Sequence, residues 1–324
     1  MKGEVPIKEF IPIVSALGVD IFAHVSNSIS FFNSPFSAHR DLKAVDIYSN
    51  KAEFGEEALC PVDGVIKAIR EYPSPNIYPS KSPLPEYLIL IKCSDNPKVY
   101  TKVLHVCPSV SINHIVHVGD AIGTLSRSGY LPFWVNPHMH VELRNPQDAI
   151  RANGAYPLQI LSVKRRKKNS PKSMSGNDLI GIVTCVRAHY AIVRPKTDIW
   201  TTIRGFSGLK ICVGNRIGVL DCGLPYIGYG GVLINEEVKR SDPLYLAGTK
   251  IGEVTETSND VAKFEANPLK VVVNDYEYRG ISSKLHFGNE GEIKLVPIRM
   301  GRINTSVNNT ITISLKTDMN INKK

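Results

Sequence analysis

Two of the chain's nine histidines stand one residue apart in "NPHMHVELRNP", residues 136–146. Side chains alternate between the two faces of a strand. His138, His140 and Glu142 therefore share one face, while Met139, Val141 and Leu143 share the other. That arrangement is an apolar back for a core and a polar front able to hold a metal ion. Taken alone, the pair reads equally well as two solvated histidines on a half-exposed strand.

Upstream stretches add residues of the same chemical kind. "FSAHRDLKAVDIYS" supplies His39 and Asp46, and Asp46 points opposite to its apolar neighbours Val45 and Ile47, as a strand presents a ligand. "CPVDGVIKAI" follows, with a tight turn at Asp63–Gly64 leading into an apolar strand. "VYTKVLHVCPS" supplies His105, expected on the strand face opposite Leu104 and Val106. "VHVGDAIGTLSRSG" and "HMHVELR" complete the series.

In this order the stretches resemble the lysostaphin-type (LytM-like) zinc metallopeptidases. That family has a His followed by an Asp in a "GIDI"-like strand, an "APxDGxV" hairpin, a "YxHL"-like strand, a glycine-rich turn and a closing "HxHFEVR". Here the counterparts are His39, "AVDIY", "CPVDGVI", "VLHV", "VHVGDAIGTLSRSG" and "HMHVELR", over roughly residues 35–150.

The resemblance implies a β-rich LytM-like domain of the duplicated-hybrid-motif kind. It makes His39, Asp46 and His140 the ligands of a Zn2+ ion with water in the fourth place, and His105 and His138 the catalytic histidines. Two imidazoles and a carboxylate leave one tetrahedral position open, as catalytic zinc sites do. Such an ion activates water and polarises a carbonyl, and two imidazoles beside it can move protons. The implied activity is that of a metalloendopeptidase acting on peptides, by resemblance of the cell-wall type.

Two departures from the family stand out. Six residues separate His39 from Asp46 where three are usual, so a bulge or loop must bring them together; otherwise Asp41 competes as a false alternative. "LPFWVN" (131–136) replaces a small-residue turn and makes the rim bulkier. His24, His114, His117, His189 and His286 fall in no pattern and are read as structural.

Two other classes compete with the peptidase. One is an inactive LytM-like binding or assembly module, which would have lost a ligand, whereas all five positions are filled here. The other is a phosphocarrier-like domain. It shares a "PVDG" turn and paired histidines but lacks the H-x-H with an upstream Asp, and needs no zinc.

The elements that must position these residues are strands. Short runs such as "AVDIY", "YLILIKC" and "AIGTL" lie between turns, and 24 Gly and 21 Pro punctuate the chain, so a mostly β protein is expected. The divisions expected are an N-terminal segment 1–34, a peptidase domain 35–162, a basic linker 163–176 and a β-rich domain 177–324. "YPSPNIYPSKSPLPEY" (72–87) reads as a long surface loop, and the tail from Thr305 as a strand that then frays.

Residues 1–160 carry 14 Lys and Arg against 15 Asp and Glu, so the net charge of +9 says little about that half. Six basic residues and no acid lie in 161–176, and Lys164–Lys172 is a candidate contact for an anionic surface as well as a solvated linker. No apolar run reaches the roughly 18 residues of a membrane span. With no signal-peptide pattern, a cytoplasmic protein with reduced, mostly buried thiols is expected from its six cysteines, which form no C-x-x-C. A recurrent G-x-x-I-G at 119–123, 214–218 and 248–252 predicts a glycine turn followed by a buried Ile.

Overall fold

Runs of Val, Ile, Leu and Tyr bounded by Gly, Pro and Asn favour pleated, half-buried chain, and nearly all regular structure here is β. The computed structural model describes residues 9–49, 51, 53–75, 85–163, 178–196, 199–258, 260–288 and 291–317. The basic stretch 164–176, the middle of the loop 72–87 and the last seven residues lie outside them. The chain divides into two units: Met1–Ile29 with Phe36–Val163, and Ser30–Pro35 with Lys164–Lys324.

In order along the first 163 residues come β1 (Phe10–Ala16), β2 (Val19–His24), β3 (Ser28–Ser30), α1 (Ser37–Arg40), β4 (Val45–Tyr48), β5 (Glu57–Leu59) and β6 (Gly64–Tyr72). They are followed by β7 (Glu86–Cys93), β8 (Tyr100–Leu104), β9 (Val106–Pro108), β10 (Ile115–Val116), β11 (Ala121–Leu125), β12 (His138–Arg144) and β13 (Gln159–Ile160). In the first unit β12 runs antiparallel between β4 and β8. β8 pairs with β7, β7 with β6 and β6 with β10. β11 pairs with β5 and β9 in a small second sheet. The apolar N-terminal stretch forms a hairpin, β1 with β2, and β1 also pairs with β13 near the end of the unit.

The back of β12 fulfils its pattern. Met139, Val141 and Leu143 are buried, and Val141 lies opposite Val45 on one side and Val103 on the other. Burying such a face removes apolar area from water at about 25 cal/mol per Å2, and that burial holds the polar front in register.

The second unit has fifteen strands among its described residues, from Asp178–Arg187 to Thr310–Thr317. They enclose a core that includes Leu209, Ile211, Leu220, Val232, Phe264 and Leu295. Ser30–Pro35 joins this unit. Asp221 is buried and accepts hydrogen bonds from the Ser30 hydroxyl at 2.6 Å, the Phe31 N–H at 2.6 Å and the Phe32 N–H at 3.2 Å. Phe31 packs edge-on to Phe206, and the Phe32 ring fills the space that a Cβ on Gly231 would need.

The G-x-x-I-G expectation holds in part. Gly119, Gly214 and Gly248 all have positive φ, the conformation that favours glycine. Ile122 and Ile251 are buried, but Ile217 is 45% exposed, because its strand turns that residue away from the core. All six cysteines are free thiols, Cys60, Cys93 and Cys222 buried and the others half-buried.

Candidate metal centre

Register places the first two residues of the cluster. His140 on β12 lies directly opposite Asp46 on β4, and directly opposed residues of an antiparallel pair share a face. His140 Nδ1 is 3.0 Å from Asp46 Oδ1.

His39 comes from a different element. The single turn of α1 carries it, with the His39 N–H donating to the Phe36 carbonyl. Leu42, at φ 54, then ends the turn, and the Lys43 N–H returns to the Ala38 carbonyl at 2.7 Å. The six residues between His39 and Asp46 are taken up by this turn, so β4 needs no bulge. His39 is wholly buried, and its Nε2 sits 3.1 Å from Asp46 Oδ1 and 3.0 Å from His140 Nδ1. Asp41 is exposed and pairs with Lys43 at 2.9 Å, away from the cluster.

His105 reaches the cluster against the strand rule. Leu104 lies opposite His140, so regular alternation would send His105 to the other face, with Val103 in the core. His105 instead adopts φ 66, which breaks the alternation between β8 and β9. Its ring lies 5.0 Å from that of His138 and 6.3 Å from that of His140. His138 stands opposite Tyr48, whose ring is 5.1 Å away, and its Nε2 is 3.7 Å from Asp46 Oδ2. All five residues proposed from sequence therefore converge, and none is more than 5% exposed.

Further carboxylates hold this cluster, and the sequence reading did not assign them roles. Glu142 Oε1 is 2.8 Å from His140 Nε2, and its Oε2 accepts from Arg144 Nη1 at 2.5 Å. Lys102 Nζ is 3.5 Å from Glu142. Glu86, on β7, accepts the His105 backbone N–H at 2.9 Å and faces His105 Nδ1 at 2.7 Å. The shared face of Glu142 with His140 was legible from period two. Glu86 carried no local signal, because its neighbour in space lies 19 residues away.

The electrostatics follow from burial opposed by partners. Burial alone would raise Asp46, but His39, His138 and His140 hold its carboxyl well below the usual range. Burial likewise disfavours charge on His140, yet its hydrogen bonds to Asp46 and Glu142 push it up to about 9. His138 is pushed down to about 4 by burial, with Asp46 opposing and the neighbouring His105 adding to the shift. Burial would raise Glu142, but His140, Lys102 and Arg144 hold it at about 2. Two carboxylates thus face the buried His140, which favours a positive charge between them.

A metal ion suits this donor set. His39 Nε2, Asp46 Oδ1 and His140 Nδ1 form a triangle with sides of 3.0–3.1 Å. Ligand atoms about 2.0–2.1 Å from a tetrahedral zinc lie roughly 3.3 Å apart. Among the described residues these form the one group of three or more His, Cys, Asp or Glu side chains whose donor atoms lie within 4.8 Å of one another. Glu142, accepting at His140 Nε2, leaves Nδ1 as the nitrogen that would face an ion, as carboxylates behind metal-binding imidazoles usually do.

Residues 17–160 match the family described as "Domain of unknown function (DUF8155) N-terminal domain". No curated protein matches the chain. Among solved structures it is similar to an NMR solution structure of lysostaphin, at 14% identity and a TM-score of 0.29, over 88% of this chain and 93% of that one. The described helices include none long and apolar enough to cross a membrane.

Proposed function

We propose that this chain is a zinc-dependent metalloendopeptidase whose centre is His39, Asp46 and His140, with His105 and His138 as its proton-handling groups. The observation that carries this reading is the 3.0–3.1 Å triangle of two imidazole nitrogens and one carboxylate oxygen, with two further imidazoles against it. Zinc, when bound, lowers the pKa of its water and polarises the scissile carbonyl.

The chain's residues do the rest. Glu142 and Arg144 hold the His140 ring in place. The Asn136 carbonyl, 2.8 Å from His138 Nδ1, fixes the proton on that nitrogen and leaves Nε2 free to accept one. A proton taken from the attacking water at an imidazole Nε2 is later delivered to the leaving amine nitrogen. Burial of both rings keeps bulk water from competing. By the sequence resemblance, the substrates are peptides of the cell-wall type, including glycine-containing ones.

The test is cleavage of short glycine-containing peptides, followed by mass spectrometry. Activity should vanish with a chelator and return with zinc. His105→Ala and His138→Ala should each lower turnover by roughly 100-fold or more. Full turnover in both variants would defeat the proposal.

A further inference from the structure

His105 and His138 are held differently, and the difference singles out a residue beyond those already assigned roles. His138 Nδ1 faces a neutral backbone carbonyl. His105 Nδ1 faces a buried carboxylate, Glu86, 6% exposed. The same carboxylate takes the His105 backbone N–H at 2.9 Å. That N–H is where the chain leaves β8 and has no strand partner at this kink, while the His105 carbonyl accepts from the Ser126 N–H at 2.9 Å.

We infer that Glu86 is a positioning residue for catalysis: by gripping His105 at both backbone N–H and ring Nδ1, it fixes the Nδ1–H tautomer and turns Nε2 toward the cluster. A backbone N–H only donates, so Glu86 Oε1 accepts. His105 and the surrounding hydrogen bonds outweigh burial and hold Glu86 at about 2, so its second oxygen also accepts at neutral pH. Nδ1 must then carry the ring proton, and the lone pair lies on Nε2, on the far side of the ring from Glu86.

The two grips depend on each other. A non-glycine residue at φ 66 is strained and persists where surrounding contacts over-determine it. With regular alternation the ring would enter the core. Glu86 stabilises the kink that brings His105 to the site and, with the same group, selects the nitrogen presented there. A carbonyl in its place would set the tautomer without anchoring the backbone.

This inference rests on the proposed role of His105, and its test separates the two. The zinc-loaded full chain, with 15N-labelled histidine, is examined by NMR for the tautomer of each ring. His105 should show a protonated Nδ1 and an unprotonated Nε2. In Glu86→Gln the His105 pattern should shift toward the other tautomer, while zinc remains at about one per chain. On a peptide that the wild type cleaves, Glu86→Gln should lower kcat about 10–100-fold and leave KM nearly unchanged, with partial recovery in Glu86→Asp.

An Nε2–H tautomer at His105 in the wild type would overturn the inference without any variant. An unchanged His105 pattern in a folded Glu86→Gln protein would overturn it as well. If the wild type cleaves no peptide, the peptidase reading fails, while the tautomer result still decides whether Glu86 orients this ring.

Discussion

At the residue scale, the two histidines of "HMH" have different partners on their outer nitrogens. His140 is backed by Glu142 and faces His39 and Asp46, whereas His138 is backed by the Asn136 carbonyl and stands 3.7 Å from the far oxygen of Asp46. Removing a proposed ligand and removing its neighbour should therefore separate cleanly. His140→Ala is expected to abolish tight zinc binding, and His138→Ala to retain about one zinc per chain, measured by elemental analysis after dialysis. Equal loss from both would overturn the role assignment.

At the scale of the element, β12 carries the site on one face and the core on the other. Leu143 is fully buried behind Glu142 and Arg144. Leu143→Ala should cost about 2–5 kcal/mol, read as a lowered midpoint in urea unfolding. The folded variant should keep its zinc, because the ladder of β4, β12 and β8, rather than this one side chain, sets the spacing of His140 and Asp46. Zinc loss from folded protein would show that the core side also tunes the ligand geometry. α1 tells the complementary story. A four-residue turn with left-handed Leu42 delivers His39, and its six-residue spacing to Asp46 made sense only once that turn was visible.

At the scale of the whole molecule, every site residue belongs to the first unit, and we place the boundary within 163–176. Residues 1–163 alone should bind about one zinc. That fragment removes the partners of Phe31 and Phe32, which are buried in the second unit. Replacing both with Ser should therefore improve its solubility without changing its metal content. A fragment insoluble or metal-free in both forms would move the boundary.

The second unit makes its own prediction. Burial, with Lys284 adding to it, pushes His286 down to about 3, so the unfolded chain binds a proton near 6.5 that the folded one refuses. This group therefore costs nothing above about pH 6.5, and destabilises the fold progressively as pH falls from there toward 3. Urea unfolding at pH 7 and pH 4.5 should show a smaller acid loss in His286→Gln than in the wild type. An identical loss would remove His286 from the account.

Strand character, the polar and apolar faces of β12, the placement of Asp46 opposite Val45 and Ile47 and the order of the motifs were legible along the chain. Each of these is local, a matter of period two, turn residues and spacing along one segment. How His39 closes on Asp46 emerges on folding, because a helical turn and a left-handed residue absorb the extra length. Folding alone brought His105 to the front, since φ 66 reverses an alternation that the pattern assumes. Glu86 and the attachment of Ser30–Pro35 to Asp221 were likewise illegible. Their partners lie 19 and about 190 residues away, and no periodicity along the chain encodes which distant acceptor will meet a buried donor.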